Sequence, residues 1–419
     1  MSRSRRATVL VTDAGRGSGL AFVRSLARAG YTVVAVDADT ASLAFRSRCA
    51  HHCHQVPSAL RDPTGFVDAL DHITRKHAVD LLIPITDEAI HPLVHHRQRL
   101  GDSCALAVGP PQAMAITTDK EATLALAKRT QVETPTTVCV QAADVGAATR
   151  AAEPLGYPIV LKPAVSRRYL PEQELVIPQS VTYAADATQL AAALSRYEPD
   201  STLLLQEYVA GEGHGIGVLA REGEVRLAFQ HRRLAEVPVT GGASAWRESV
   251  ALDAGLMAAT TRLVDALRWS GLLMVEFKLG DRALLMEING RTWGSLPLAL
   301  RAGVDFPAAL AAQMLENAPP LPEDQPAGQL GGYRTGVKTF NLELAWPWLA
   351  QVLRGRRRHR ELPGPARRDA WPLVRGLLDL RQGSDVIDWK DPLPGLYQVP
   401  RIARKLVRKA RTAQREVHT

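Results

Sequence analysis

Two acids, an amide and an arginine stand beside apolar runs in the stretch GLLMVEFKLGDRALLMEINGRTWGS, residues 271–295. Glu276 follows Leu272, Leu273, Met274 and Val275; Glu287 follows Leu284, Leu285 and Met286; Asn289 and Arg291 come next. Gly280 and Asp281, lying between two apolar runs, predict a β-hairpin with one carboxylate on each arm. Ionised acids in strands that read as buried are costly unless something cationic meets them. Two carboxylates and an amide oxygen within reach of one another make an oxygen-ligand site for Mg²⁺, which keeps waters and takes its remaining ligands from substrate phosphates. The same residues also read as two unrelated strand-edge acids, each paired with Arg or Lys.

The elements that must position this hairpin are visible along the chain. Residues 7–37 read as a strand, a turn, a helix from Leu20 to Ala29, a stop at Gly30 and a second strand, which is a βαβ unit of a parallel sheet. The turn GRGSG spaces Gly15, Gly17 and Gly19 two apart and so misses the dinucleotide pattern G-x-G-x-x-G, although Asp37 stands about where a ribose-binding acid would. An NAD(P) enzyme is therefore a competing reading, without a Tyr-x-x-x-Lys pair to support it. Cys49–His54, CAHHCH, has metal-ligand residue types, but no second cluster completes a zinc set and a polar loop fits as well. A strand from Asp80 to Ile85 ends in Thr86, Asp87 and Glu88, polar residues at the edge where ligands bind in open α/β sheets.

Beyond Pro110-Pro111, Thr118 or Asp119 can cap a helix from Lys120 to Arg129. Lys162 closes the apolar strand IVLKPA and reads either as an anion-binding lysine or as a snorkelling one. The strand Thr202–Leu205 runs into QEYVAGEGHGIGVLA, a hinge able to offer backbone groups to a purine edge and a carboxylate to ribose hydroxyls.

Composition narrows the class. With 419 residues, 46% hydrophobic and 22% charged, the chain is long enough for two or three domains with ordinary soluble cores. Four cysteines make no disulfide framework, and no apolar run approaches the roughly 20 residues that span a bilayer, so a cytoplasmic protein is expected. Residues 351–419 hold 17 Lys and Arg against 7 Asp and Glu, a surplus of +10; set against the whole chain's +8, this leaves residues 1–350 at −2. Basicity thus belongs to the tail, and nucleic acid is not an expected partner.

Taken in order, the segments resemble the ATP-grasp superfamily over residues 8–316. HRRLAEVPVTGGASAWRESV, MVEFK and LMEINGRTWGSLPLALRAGVDFP resemble its carbamoyl-phosphate-synthetase-like branch of carboxylate–amine ligases. The resemblance implies an α/β fold, α+β in the ATP-grasp part: an N-terminal pre-ATP-grasp domain at 1–115, an ATP-grasp domain at 116–316 with a small lid at about 130–208, and a basic extension at 317–419. It implies ATP and Mg²⁺ as cofactors, with Mn²⁺ as the alternative ion, and small-molecule carboxylate and amine substrates; a non-catalytic Mg-ATP-binding protein or membrane-peripheral scaffold is the alternative function. Lys120 and Lys162 would hold the α- and β-phosphates. Gln206, Glu207 and Val209 would meet adenine, and Glu212 the ribose. Glu276, Glu287 and Asn289 would hold metal, Arg291 would stabilise the acyl phosphate or oxyanion, and Arg233 would face the γ-phosphate. The Gly241-Gly242 loop and Arg247 would lie over the acceptor carboxylate, or else form a surface turn.

Two departures stand out. Ser166-Arg167-Arg168-Tyr169 replaces a glycine-rich phosphate lid, and Gly290 follows the metal-site asparagine where proline is common. In the tail, Ile402 and Leu406, with Val399 as a third candidate, share a helical side while Arg404, Lys405, Arg408 and Lys409 lie elsewhere. With Trp346, Trp348 and Trp371, this suits either an anionic membrane surface or lipid-linked substrate, or simply a solvated charged helix. A homodimer is compatible with all of this.

Overall fold

The computed structural model describes residues 5–100, 104–165, 181–316, 330–355, 364–379 and 381–403, with Leu362 and the backbone of the strands Arg167–Leu170 and Leu175–Pro178. Ser166 of the lid departure, and residues 317–329, 356–360 and 404–419 of the basic extension, lie outside these residues.

The expected βαβ start is present: strand Thr8–Val11, helix Gly17–Arg28 and strand Thr32–Asp37. Val9, Leu10, Val33, Val34, Leu81 and Leu82 are all buried, as strands covered on both faces require. They lie in a five-stranded parallel sheet ordered His52–Gln55, Thr32–Asp37, Thr8–Val11, Leu81–Ile83, Ala105–Leu106. His52–Gln55, read above as a polar loop, is instead the edge strand; its solvated rim accommodates the histidines, and His54 Nε2 lies 2.8 Å from His77 Nε2. Among the described residues, no cluster of three or more His, Cys, Asp or Glu side chains is arranged to hold a metal.

A second, antiparallel sheet joins Thr182–Ala184, Ile159–Pro163, Thr202–Glu207 and Thr137–Gln141. Helices Val145–Ala152 and Ala187–Leu194 cover it, each started by an aspartate whose carboxylate accepts a first-turn N–H: Asp144 from Ala147 and Asp186 from Gln189. Leu161, Leu190, Leu203 and Leu205 form this unit's own core.

The third sheet has seven strands, in the order Ala283–Asn289, Gly271–Leu279, Glu212–Arg221, Glu224–Val237, Ala243–Val250, Lys338–Phe340, Gly383–Ser384. Its last two strands come from the segment read in sequence mainly as charge. Trp293 is buried against Gly217, where a Cβ would sit 2.1 Å from the indole, so only glycine fits. Trp293, Leu298 and Phe306 share one core with Val9, Leu20 and Phe22, which fixes the first sheet against the third.

Candidate active site

The hairpin forms as expected, with Gly271–Leu279 antiparallel to Ala283–Asn289 and Glu276 directly across from Glu287. Direct cross-strand neighbours share a face and lie about 5 Å apart at Cβ, so the two carboxylates repel. Burial, then the Glu276 charge, raises the Glu287 pKa above the usual glutamate range, with Lys120, Arg291 and Lys162 opposing. Asn289 Nδ2 donates to Glu276 Oε1 at 3.2 Å, which fixes that carboxylate's orientation.

Cations close the site from three directions. Arg233 Nη2 reaches Glu276 Oε2 at 2.6 Å, while Nη1 reaches Glu236 Oε1 at 3.0 Å and donates to the Gly242 carbonyl at 3.0 Å. Burial disfavours this guanidinium, but Glu276 and Glu236 outweigh it and raise its pKa. Arg291 Nε donates to Asp87 Oδ2 at 2.7 Å, so the polar carboxyl end of strand Leu81–Ile83 does reach the site, by aiming an arginine. Lys162 Nζ donates to Gln206 Oε1 at 2.6 Å, and Gln206 Nε2 donates in turn to Thr137 Oγ1 at 2.9 Å. Burial lowers the Lys162 pKa from 10.5 to about 8, with Glu287 opposing.

These groups surround one cavity of about 490 Å³ lying between the second and third sheets. Of the residues singled out in sequence, Lys120, Lys162, Glu207, Val209, Arg233, Glu276, Glu287, Asn289 and Arg291 line it. Gln206 is buried behind Lys162 and orients it. Glu212 is off the wall, 3.8 Å from Arg232 and 3.6 Å from His214. The Gly241-Gly242 loop does reach the cavity. Arg247 does not: it is 1% exposed, ion-paired with the equally buried Asp385, and donates to the Ser244 carbonyl at 3.0 Å. A guanidinium held on both sides in the interior cannot cover a substrate.

Sequence reading missed several wall residues. Lys278 lies two beyond Glu276, a spacing that shares a strand face, and donates to the Val209 carbonyl at 3.0 Å. Glu236 follows Arg233 by three, which strict alternation would put on the other face, but register shifts between Arg233 and Glu236 bring it round. Asn341 and Leu344 come from the C-terminal segment.

The glycine turn of the first sheet is filled by its own chain. Asp37 Oδ2 accepts from the Gly15 N–H at 2.6 Å and from Ser42 Oγ at 3.0 Å, Arg401 donates to the Gly15 carbonyl at 3.2 Å, and Asp385 lies where a Gly17 Cβ would meet it at 3.1 Å. The acid that could bind a ribose is spent on the turn.

Solved structures share this architecture. N5-carboxyaminoimidazole synthetase of Staphylococcus aureus in complex with ADP is 16% identical, with a TM-score of 0.57, covering 75% of this chain and 78% of that one. L-amino acid ligase of Bacillus licheniformis is 14% identical, with a TM-score of 0.58 and 81% and 79% covered. The biotin carboxylase domain of the Hydrogenobacter thermophilus 2-oxoglutarate carboxylase, in complex with MgADP, ADP and bicarbonate, is 15% identical, with a TM-score of 0.59 and 79% and 73% covered. The fold is therefore that of the ATP-grasp proteins. Residues 199–331, which include the hairpin, match a family described as ATP-grasp in the biosynthetic pathway with Ter operon. The match covers about a third of the chain, and the fold it falls in is the ATP-grasp fold. No curated protein matches it in sequence.

Proposed function

We propose that the chain is an ATP-dependent ligase of the carboxylate–amine branch, joining a carboxylate to an amine through an acyl phosphate with release of ADP and phosphate. The observation that carries this reading is the cross-strand pair Glu276 and Glu287, facing Lys120 and Lys162 across one cavity. A partly buried like-charge pair in which the Glu287 pKa is raised is a site suited to a cation. Glu276, Glu287 and Asn289 suit Mg²⁺, or Mn²⁺ in its place, with phosphate oxygens and water completing the shell. Such ions neutralise the β- and γ-phosphates when bound.

The chain's own groups do the rest. Lys120 and Lys162 hold the phosphates nearer the nucleoside, and the Glu207–Val209 hinge meets adenine. Glu212, standing off the wall, is the weakest member of the set, and Gln206 acts through Lys162. An acceptor carboxylate oxygen attacks the γ-phosphorus, the bond to the β–γ bridging oxygen breaks, and ADP leaves. The amine nitrogen then adds to the acyl carbon, sheds a proton and expels phosphate to leave an amide. Arg291, aimed by Asp87, meets the negative charge that develops on phosphate and on the tetrahedral oxygen. Arg233 holds Glu276 in this structure, and with that carboxylate engaged by a metal its Nη2 would be available to meet the γ-phosphate or the acceptor. The division at residues 115 and 316, the lid at about 130–208, a cytoplasmic setting and small-molecule substrates belong to the same proposal.

An ADP-release screen of carboxylates against amines tests it: turnover is expected only when both are present. Glu287→Ala should abolish ADP formation while the circular dichroism spectrum is unchanged. Undiminished turnover in that variant would refute the metal assignment, and with it the ligase reading.

A further inference from the structure

Among the described residues, large apolar side chains left in solvent concentrate in the C-terminal segment, Trp346, Trp371, Leu378, Trp389, Leu396 and Val399 among them. The helix over residues 393–403 orders them in an unusual way. Leu393, Leu396, Val399, Pro400 and Ala403 are its exposed residues, and at 100° per residue they fall within one 120° arc. No charged or polar side chain shares that arc.

Its polar residues point inward. Gln398 is buried, Arg401 donates to the Gly15 carbonyl, and Tyr397 receives the Arg46 guanidinium 4.8 Å over its ring. Just before the helix, Asp391 accepts from Arg24 Nε at 2.8 Å, Ser47 Oγ at 2.6 Å and the Arg48 N–H at 3.1 Å. A surface helix ordinarily turns its apolar stripe to the core. This one is fastened to the first sheet by its polar side and shows its apolar side outward. Ile387 packs on Gly395, so the segment carrying Trp389, 87% exposed, and Lys390 flanks the same face.

We propose that this face is a docking surface for an anionic lipid bilayer, with Trp389, Leu393, Leu396 and Val399 entering the headgroup boundary. Charge selects this occupant. Directly after the helix, residues 404–419 contain six Lys and Arg against one Glu. A second copy seated on the same face would bring two such segments together with like sign, whereas an anionic surface attracts them at about 1 kcal/mol for each basic residue. Trp is favoured at that depth for its amphipathic ring. No helix of the described residues is long and apolar enough to cross a membrane, so the contact lies on the surface. This inference does not depend on the ligase reading.

The test is co-sedimentation of the full-length protein with vesicles of phosphatidylcholine alone and with phosphatidylglycerol added, at low and high salt. Binding to the mixed vesicles is expected to be tighter by about tenfold or more and to weaken with salt. Leu396→Glu/Val399→Glu should lose about tenfold or more of that binding, as should Lys405→Glu/Lys409→Glu, with melting temperature and ADP release unchanged. Absence of vesicle binding, equal binding to neutral vesicles, or full binding by the Leu396→Glu/Val399→Glu variant would each overturn the proposal. So would a wild-type dimer in sedimentation velocity that the same variant dissolves without any lipid binding, since a second copy would then be the occupant.

Discussion

Two places in this chain carry residues suited to a nucleotide: the turn from Gly15 to Gly19 with Asp37, and the hairpin with Glu276 and Glu287. In the turn the acid and the Gly15 backbone are engaged nearby. Asp37 takes the Gly15 N–H and the Ser42 hydroxyl, and Arg401 takes the Gly15 carbonyl. In the hairpin two acids face each other, the Glu287 pKa is raised, and the cations around them come from other elements with a cavity between. A binding site is marked less by its residue types than by polar groups whose mutual arrangement is unfavourable until something arrives. The glycine turn is a finished structure, and the hairpin is not.

The sharpest way to break that contrast is one neutralising substitution in each place. Glu276→Gln should lower ADP release by about two to three orders of magnitude, the scale seen when a charge-stabilising group is lost at a reacting centre. Asp37→Asn should leave ADP release within about twofold and instead cost about 1–3 kcal/mol of stability, as a charge-assisted hydrogen bond to a backbone amide is weakened. Steady-state rates and melting curves on both variants decide it. If Asp37→Asn lost turnover as severely as Glu276→Gln, the turn would have to be counted a nucleotide site.

Two arginines extend the contrast. Arg247→Met strands Asp385 in the interior and should cost about 3–5 kcal/mol. Burial already raises the Asp385 pKa, against Arg247. Without that arginine the carboxyl takes up a proton more readily, so the loss should be greatest at high pH and should shrink as pH falls. Arg291→Met leaves the partly exposed Asp87, where solvent screens the charge, so its main effect should fall on kcat. Denaturant melts at pH 5 and pH 8 separate the two, and equal pH dependence in both variants would contradict these assignments.

How much of this was legible in sequence depends on the range of the interactions. The hairpin, the helix from Lys120, and Lys162 at a strand end are local patterns and were read correctly as elements. Arg247 was misplaced because its partner lies 138 residues away, in a segment that looked like charge alone. Asp87 was legible as a polar residue at a strand's carboxyl end, but its pairing with Arg291 spans 204 residues. Glu236 was hidden by a bulge, for alternation is a sound rule only while the ladder is unbroken. Asn341 and Leu344 had no signal at all; they reach the cavity because Lys338–Phe340 extends the third sheet.

The subtlest test concerns Lys162, whose direct hydrogen-bond partner is the neutral Gln206 rather than a carboxylate. Its pKa is about 8 when folded and 10.5 for an ordinary lysine in water. The shift penalises the charged form, so its destabilising effect is full below pH 8, and stability rises as pH climbs from 8 to 10.5, where the unfolded chain binds a proton the folded one has released. A nucleotide polyphosphate reverses this by favouring the ammonium. Above pH 8, nucleotide binding should therefore take up a proton, and affinity should fall by up to about tenfold per pH unit. Calorimetry at pH 9 in two buffers of different ionisation enthalpy measures the uptake, which Lys162→Met should abolish while also weakening binding. An affinity that stays flat from pH 7 to pH 9.5 would mean that the lysine is already satisfied without ligand, and the distinction between finished and unfinished sites would fail at the residue where it is most exposed to test.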